Sequence, residues 1–289
     1  MGRLSSSAFW LMALAMLCFS VMAALVKAAC GELTSSQVAF VRSLISVGIL
    51  LWIHYRTPKR GPLWGHHRKP LIARGLMGAI ALNLYFFGLS RLPVTDAMLL
   101  NLTTPLFVLP LGLWLLGERL RLLQALLLPV ALVGVVLVLR PEGDFASLPA
   151  LAALGSAVFS AVAYILVRRL AGREAPHTVV FYFSVFSALG SLPLAALEPR
   201  LPQPITWLAL LGIGALATGG QMFMTLALQH DSAGKVSIFG NLGVVFAVAW
   251  DGWFFGIAPD WQTVLGAVLI VGALACIQYQ GHPGHAHHG

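Results

Sequence analysis

Between Asn101 and Leu139 lie two long apolar runs, separated only by Gly117-Glu118-Arg119-Leu120-Arg121. A hydrocarbon core about 30 Å thick needs roughly 20 apolar helical residues per crossing, and each run has about that length. A charged side chain at the bilayer centre costs ~2.5–3.5 kcal/mol on insertion scales, so the charged link has to lie at a membrane surface. The segment therefore reads as a tight helical hairpin. Composition agrees: 58% of the 289 residues are hydrophobic and 10% are charged, against about 25% charged in soluble domains. A soluble globular fold is excluded.

The same reading along the chain predicts crossings at 7–28, 34–54, 73–92, 95–117, 122–140, 149–170, 177–197, 205–228, 233–256 and 262–280. The first run is too long for the apolar region of a signal peptide and reads as a retained helix. The links are short, and the longest, Tyr55 to Ile72, is basic. The net charge of +8 is thus distributed through gaps between helices, where it sets orientation rather than binding nucleic acid. With the N-terminus inside, only Lys27, Arg91, Arg140 and Arg200 fall outside, Arg42 lies within a run, and the other basic residues, Arg74 among them, are cytoplasmic. That bias predicts an inner-membrane protein with both termini in the cytoplasm. Cys18, Cys30 and Cys276 have no metal-ligand spacing and read as small apolar side chains.

The two halves look alike. Shifting by 140 residues lays Cys18-Phe19-Ser20 over Val158-Phe159-Ser160, and shifting by 139 lays Trp114-Leu115-Leu116-Gly117 over Trp253-Phe254-Phe255-Gly256. Five helices per copy is an odd number, so the copies must enter the membrane from opposite sides. The expected fold is an all-α polytopic membrane protein of ten transmembrane helices in two inverted five-helix repeats, 1–141 and 142–281, with a His-rich tail at 282–289. Inverted repeats are a common plan among secondary transporters, with the substrate site near the midplane.

The first half carries Gly88-Leu89-Ser90-Arg91-Leu92-Pro93, then Pro105, Leu116-Gly117-Glu118, Gln124 and Gly134-Val135-Val136-Leu137, with Arg42 in the second helix. With these features the chain resembles the drug/metabolite transporter superfamily, in particular its ten-helix EamA family. In the second half Ile257 stands where Glu is expected and Val244 stands where the first half has Pro105. The resemblance implies a secondary carrier, often an exporter of amino acids or other small metabolites.

Polar groups at membrane depth usually face a bundle interior or a wet cavity. Arg42 is either a contact for a substrate carboxylate or a tether between helices. Asn83 and Gln221, one from each half at similar depth, suit a cavity that hydrogen-bonds a solute, or else interhelical glue. Asn101 and Asn241 form a second such set, and the neighbouring Thr103 and Thr104 can instead bond their own helix. Tyr85, Tyr164, Tyr182 and Trp250 are candidate aromatic walls or packing residues. Pro105, Pro110, Gly240 and Gly243 are candidate hinges in the two equivalent helices.

Acidic residues fall in loops or at helix ends, except Asp251 within an apolar run. A carrier of organic cations would want a central carboxylate. Its lack favours a neutral, zwitterionic or anionic substrate. No phosphate-cradling Gly-x-x-x-x-Gly-Lys-[Ser/Thr] loop is present, and the expectation is no cofactor, no metal and no nucleic acid. The expected partners are a small-molecule substrate and the bilayer, for a monomeric chain. An intramembrane hydrolase or transferase would need a base beside a nucleophile, and Ser20 and Ser160 have no such neighbour in sequence. A passive channel is the remaining alternative.

Overall fold

The computed structural model describes residues 6–56, 63–104, 106–108, 111, 122–139, 147–170, 172–230 and 242–280. Among them there is no strand. Ten helices follow in order: α1 Ser6–Ala29, α2 Ser35–Arg56, α3 Arg68–Arg91, α4 Val94–Leu102, α5 Leu122–Leu139, α6 Leu148–Leu170, α7 Pro176–Leu197, α8 Pro204–His230, α9 Leu242–Phe255 and α10 Trp261–Gln280. Six of these, α1, α2, α3, α6, α7 and α8, are long and apolar enough to cross a membrane on their own. The described parts of α4, α5, α9 and α10 are shorter apolar helices. In a membrane only helices and closed barrels satisfy every backbone polar group internally. This is a multi-pass helical membrane protein.

One of the expected boundaries shifts in a way that matters. α3 begins at Arg68 rather than 73, so Arg74 is a helical residue, 5% exposed. Asp251, expected within the apolar run of the ninth helix, lies in α9 and is 1% exposed.

The outer faces are apolar: Leu208, Val245 and Trp253 are all strongly exposed. Trp10, Trp52, Trp207 and Trp261, all near helix ends, where tryptophan suits the membrane–water interface, are exposed too. Without a hydrophobic drive between helices, association in lipid depends on close packing of small residues. The densest pairings are α3 with α6, α1 with α8, α5 with α10 and α2 with α7, followed by α3 with α7 and α2 with α8. At the α5–α10 crossing, a Cβ on Gly134 would lie 2.8 Å from the Gly266 carbonyl oxygen, and a Cβ on Gly266 would lie 2.8 Å from that of Gly134. Only glycine at both positions permits this approach.

Carboxylates fasten the helix starts at the end of the bundle where α3 meets α4. Buried Asp251 accepts the Val94 and Thr95 backbone N–H groups at 3.0 and 2.7 Å, capping α4 from α9. Asp96 accepts the Thr263 hydroxyl of α10 at 3.0 Å, and the Lys27 ammonium donates to the Leu92 carbonyl. Glu32 accepts the Gln203 backbone N–H at 2.7 Å and the Thr206 hydroxyl, capping α8. Asp251 and Glu32 meet N–H donors that a helix N-terminus leaves unpaired, at the favourable end of the helix dipole.

At the opposite end, Glu174 in the α6–α7 link accepts the His66 and His67 backbone N–H groups at 2.7 and 2.5 Å. It also pairs with His67 Nδ1 at 3.0 Å. Burial on its own raises this carboxyl, but the hydrogen bonds from His67 and His66 outweigh it and hold Glu174 below the usual carboxylate value.

Candidate functional site

A cavity of about 250 Å³ lies among α1, α2, α3, α4, α6, α7, α8 and α9. Three helices supply walls by simple periodicity. Met12, Met16, Phe19 and Met22 line it from α1; Arg74, Gly78, Ala81, Leu82 and Tyr85 line it from α3; Ser160, Ala163 and Tyr164 line it from α6. Spacings of three and four residues put each set on one helix face. α2 and α7 contribute one residue each, Arg42 and Phe183.

Arg42 and Arg74 dominate the electrostatics. Arg42 is 2% exposed, and its guanidinium carbon lies 5.3 Å from the centre of the Phe183 ring. The corresponding Arg74 distance to the same ring is 4.8 Å. Nε and Nη1 of both arginines have no hydrogen-bond partner. A tether would require acceptors for those nitrogens, and the described residues offer none. No Asp or Glu is among the described lining residues. A desolvated cation over an aromatic face gains up to ~2 kcal/mol, much less than full compensation for burying a charge. The cavity is thus cationic, and its two forks are open to an acceptor.

Of the residues singled out from sequence, Arg42, Tyr85, Asn101, Tyr164 and Gln221 come together on this cavity. Asn101 also donates to Ser156 Oγ at 2.8 Å, joining α4 to α6. Thr103 and Thr104 donate to carbonyls of their own helix, Leu100 and Asn101. Gly243 sits beside the cavity, where a Cβ would lie 3.0 Å from Met98 Cε.

Others have different surroundings. Asn83 donates to the Ala79 carbonyl at 2.9 Å and accepts from Ser191 at 3.0 Å, joining α3 to α7. Tyr182 donates to the Trp64 carbonyl at 3.0 Å, near the α2–α3 link. The Trp250 indole donates to Ser20 Oγ at 3.1 Å, so Ser20 faces an indole N–H and not a base. Pro105, Pro110, Gly240 and Asn241 lie outside the described residues.

Sequence reasoning missed Arg74 and the methionines. For Arg74 the signal was available: Arg74, Gly78, Leu82 and Tyr85 recur on one face of the crossing expected at 73–92. Met12, Met16, Met22, Met98 and Met224 form the apolar side of the cavity. Methionine is flexible and polarisable and fills irregular or variable contacts, so this wall can adapt to the carbon skeleton of a solute.

Comparison with known proteins places this geometry. The model of the EamA-like transporter family matches twice, over residues 6–140 and 147–279. The pseudopaline exporter of Pseudomonas aeruginosa is 36% identical over 278 residues, covering 95% of this chain and 96% of that protein. The riboflavin transporter of Vibrio cholerae is 28% identical, covering 85% and 83%. The S-adenosylmethionine uptake transporter of Rickettsia bellii is 30% identical, covering 86% and 85%. A solved crystal structure superposes with a TM-score of 0.70 over 94% of this chain and 97% of its own, at 23% identity. That last likeness concerns the fold alone.

Proposed function

Because the chain belongs to the EamA-like transporter family, whose members are small-molecule transporters and not enzymes, we propose that it is a secondary exporter of carboxylate-bearing metabolites such as amino acids. It works by alternating access across the cytoplasmic membrane, with both termini in the cytoplasm. The observation that carries the substrate reading is Arg42: a buried guanidinium with unpaired Nε and Nη1, facing a cavity without a described carboxylate. The direction of transport is drawn from the exporter among its relatives and the orientation from the distribution of Lys and Arg.

The proposed mechanism treats residues 1–141 and 142–281 as inverted repeats that rock about the cavity. Exchanging helices one to five with six to ten turns the α3–α6 pairing into α8–α1, α3–α7 into α8–α2, and α4–α6 into α9–α1. All of these pairings occur, and the family model matches each half separately. Both facts support the repeat reading.

The test is counterflow in proteoliposomes loaded with unlabelled amino acids, organic anions or organic cations. Exchange of labelled amino acids without added energy, lost in Arg42→Gln, is the expected result. Exchange of organic cations alone would overturn the proposal.

A further inference from the structure

Arg42 explains one anionic contact, and a single such contact leaves Arg74 without a role. Arg74 belongs to a different helix, is equally enclosed, and has the same two unpaired nitrogens. Both guanidinium groups lie against one ring, that of Phe183, so their centres are within about 10 Å of each other. The position beside them is shaped for this arrangement. A Cβ at Gly78 would fall 2.2 Å from Arg74 Nη1 and 2.6 Å from Phe183 Cδ2. Any larger residue there would displace the second cation from the ring.

We infer that Arg42 and Arg74 form a paired seat, spanned by Phe183, for a solute that carries two carboxylates separated by a short carbon chain. The inference rests on the transport reading above and extends it from one anionic group to two. Two like charges close together in a poorly solvated cavity repel each other. A monoanion neutralises one fork and leaves the other buried and unpaired, whereas a solute with two carboxylates satisfies both. Each guanidinium presents parallel N–H donors that match a carboxylate edge to edge. Tyr164 lines the same cavity as Arg74, and its ring and the methionine wall are left to contact the rest of the solute.

The experiment uses the purified full-length protein in detergent and measures thermal protection by three probes. These are glutarate, with two carboxylates; valerate, with one on the same number of carbons; and inorganic phosphate, with its charge in one group. Losing a hydrogen-bonded charge pair corresponds to at least about tenfold in affinity. Glutarate should therefore bind at least tenfold more tightly than valerate or phosphate. Arg42→Gln and Arg74→Gln should each bring glutarate down to the valerate level, and Arg74→Lys should fall between.

Equal affinity for glutarate and valerate, or phosphate protecting as well as glutarate, overturns the paired seat. So does undiminished glutarate binding in Arg74→Gln. Should a Gln variant not fold, the ranking of the three probes on the unaltered protein still decides. Counterflow separates the two readings. Carboxylate exchange without preference for the second carboxylate removes the paired seat alone, whereas exchange confined to cations removes both.

Discussion

The bond from Asp251 to the start of α4 should hold one end of the cavity shut, and its strength follows from the geometry. Two backbone N–H groups donate to this 1%-exposed carboxylate, at 3.0 and 2.7 Å. Hydrogen bonds to charged groups contribute about 1.5–3 kcal/mol each, and the lower figure for both bonds gives about 3 kcal/mol. Asp251→Ala should therefore shift the equilibrium between closed and open forms at that end by about a hundredfold. Asp251→Asn keeps one acceptor oxygen and should shift it by about tenfold.

Thr95 is a suitable reporter. It is 2% exposed, and its hydroxyl has no hydrogen-bond partner, so Thr95→Cys removes no bond. In a background with Cys18, Cys30 and Cys276 replaced, the rate of labelling by a membrane-impermeant maleimide reads the open population. It should rise in the order parent, Asp251→Asn, Asp251→Ala. Labelling of Asp251→Ala within twofold of the parent, at unchanged thermal stability, would refute the clasp.

Three further outcomes are expected. Gly78→Ala should leave folded protein in the membrane while weakening anion binding, since the added methyl meets Arg74 and Phe183 and overpacking typically costs about 1–3 kcal/mol; thermal protection by glutarate measures it. Gly134→Ala should lower thermal stability by a similar ~1–3 kcal/mol without altering the ranking of solutes, because its methyl meets a backbone carbonyl in a helix pair that supplies no described lining residue; calorimetry and counterflow check the two halves of that statement. The Glu174 carboxyl is held below its ordinary value of 4.5, so its stabilising bonds are fully present above that value and are lost as pH falls through the lowered one. Limited proteolysis of the α2–α3 link should accelerate over that acidic range, and Glu174→Gln should abolish the pH dependence.

The helices were legible because lipid imposes a length and a composition on every crossing. The expected run at 149–170 meets a helix at Leu148–Leu170, and the one at 177–197 meets Pro176–Leu197. Arg42 stood out for the same reason, as a charge inside an apolar run. Arg74 did not, because it stands at the start of the expected crossing at 73–92, close after Arg68 and Lys69, and was counted with the basic residues of the cytoplasmic side. A helix that carries its first basic residues in the interface and the next one in the interior has no compositional break to mark the transition.

Asn83 and Gln221 show another limit: similar amides at related positions differ because α7 presents Ser191 to Asn83, and no sequence period reveals a neighbour's hydroxyl. Asp251 was visible as an oddity, yet the N–H group it accepts from Val94 belongs to a residue 157 positions away in sequence.

The arrangement also suggests how labour divides among the helices. α5 and α10 supply no described residue to the cavity, and they meet through reciprocal glycines at backbone distance. Such a contact leaves little room for sliding, since any shift drives carbonyl against Cα. The α4–α9 junction is different in kind. It is fastened by a carboxylate and two N–H groups, and such bonds can be exchanged for bonds to water when that end opens. Lining residues such as Met98 of α4 and Val244 of α9 would move with it. Under the proposed rocking mechanism, a tightly packed crossing on one side and a polar, separable one next to the cavity would let two halves move without coming apart. On this reasoning the arginine seat opens to solvent through the Asp251 side, with the glycine crossing as the pivot.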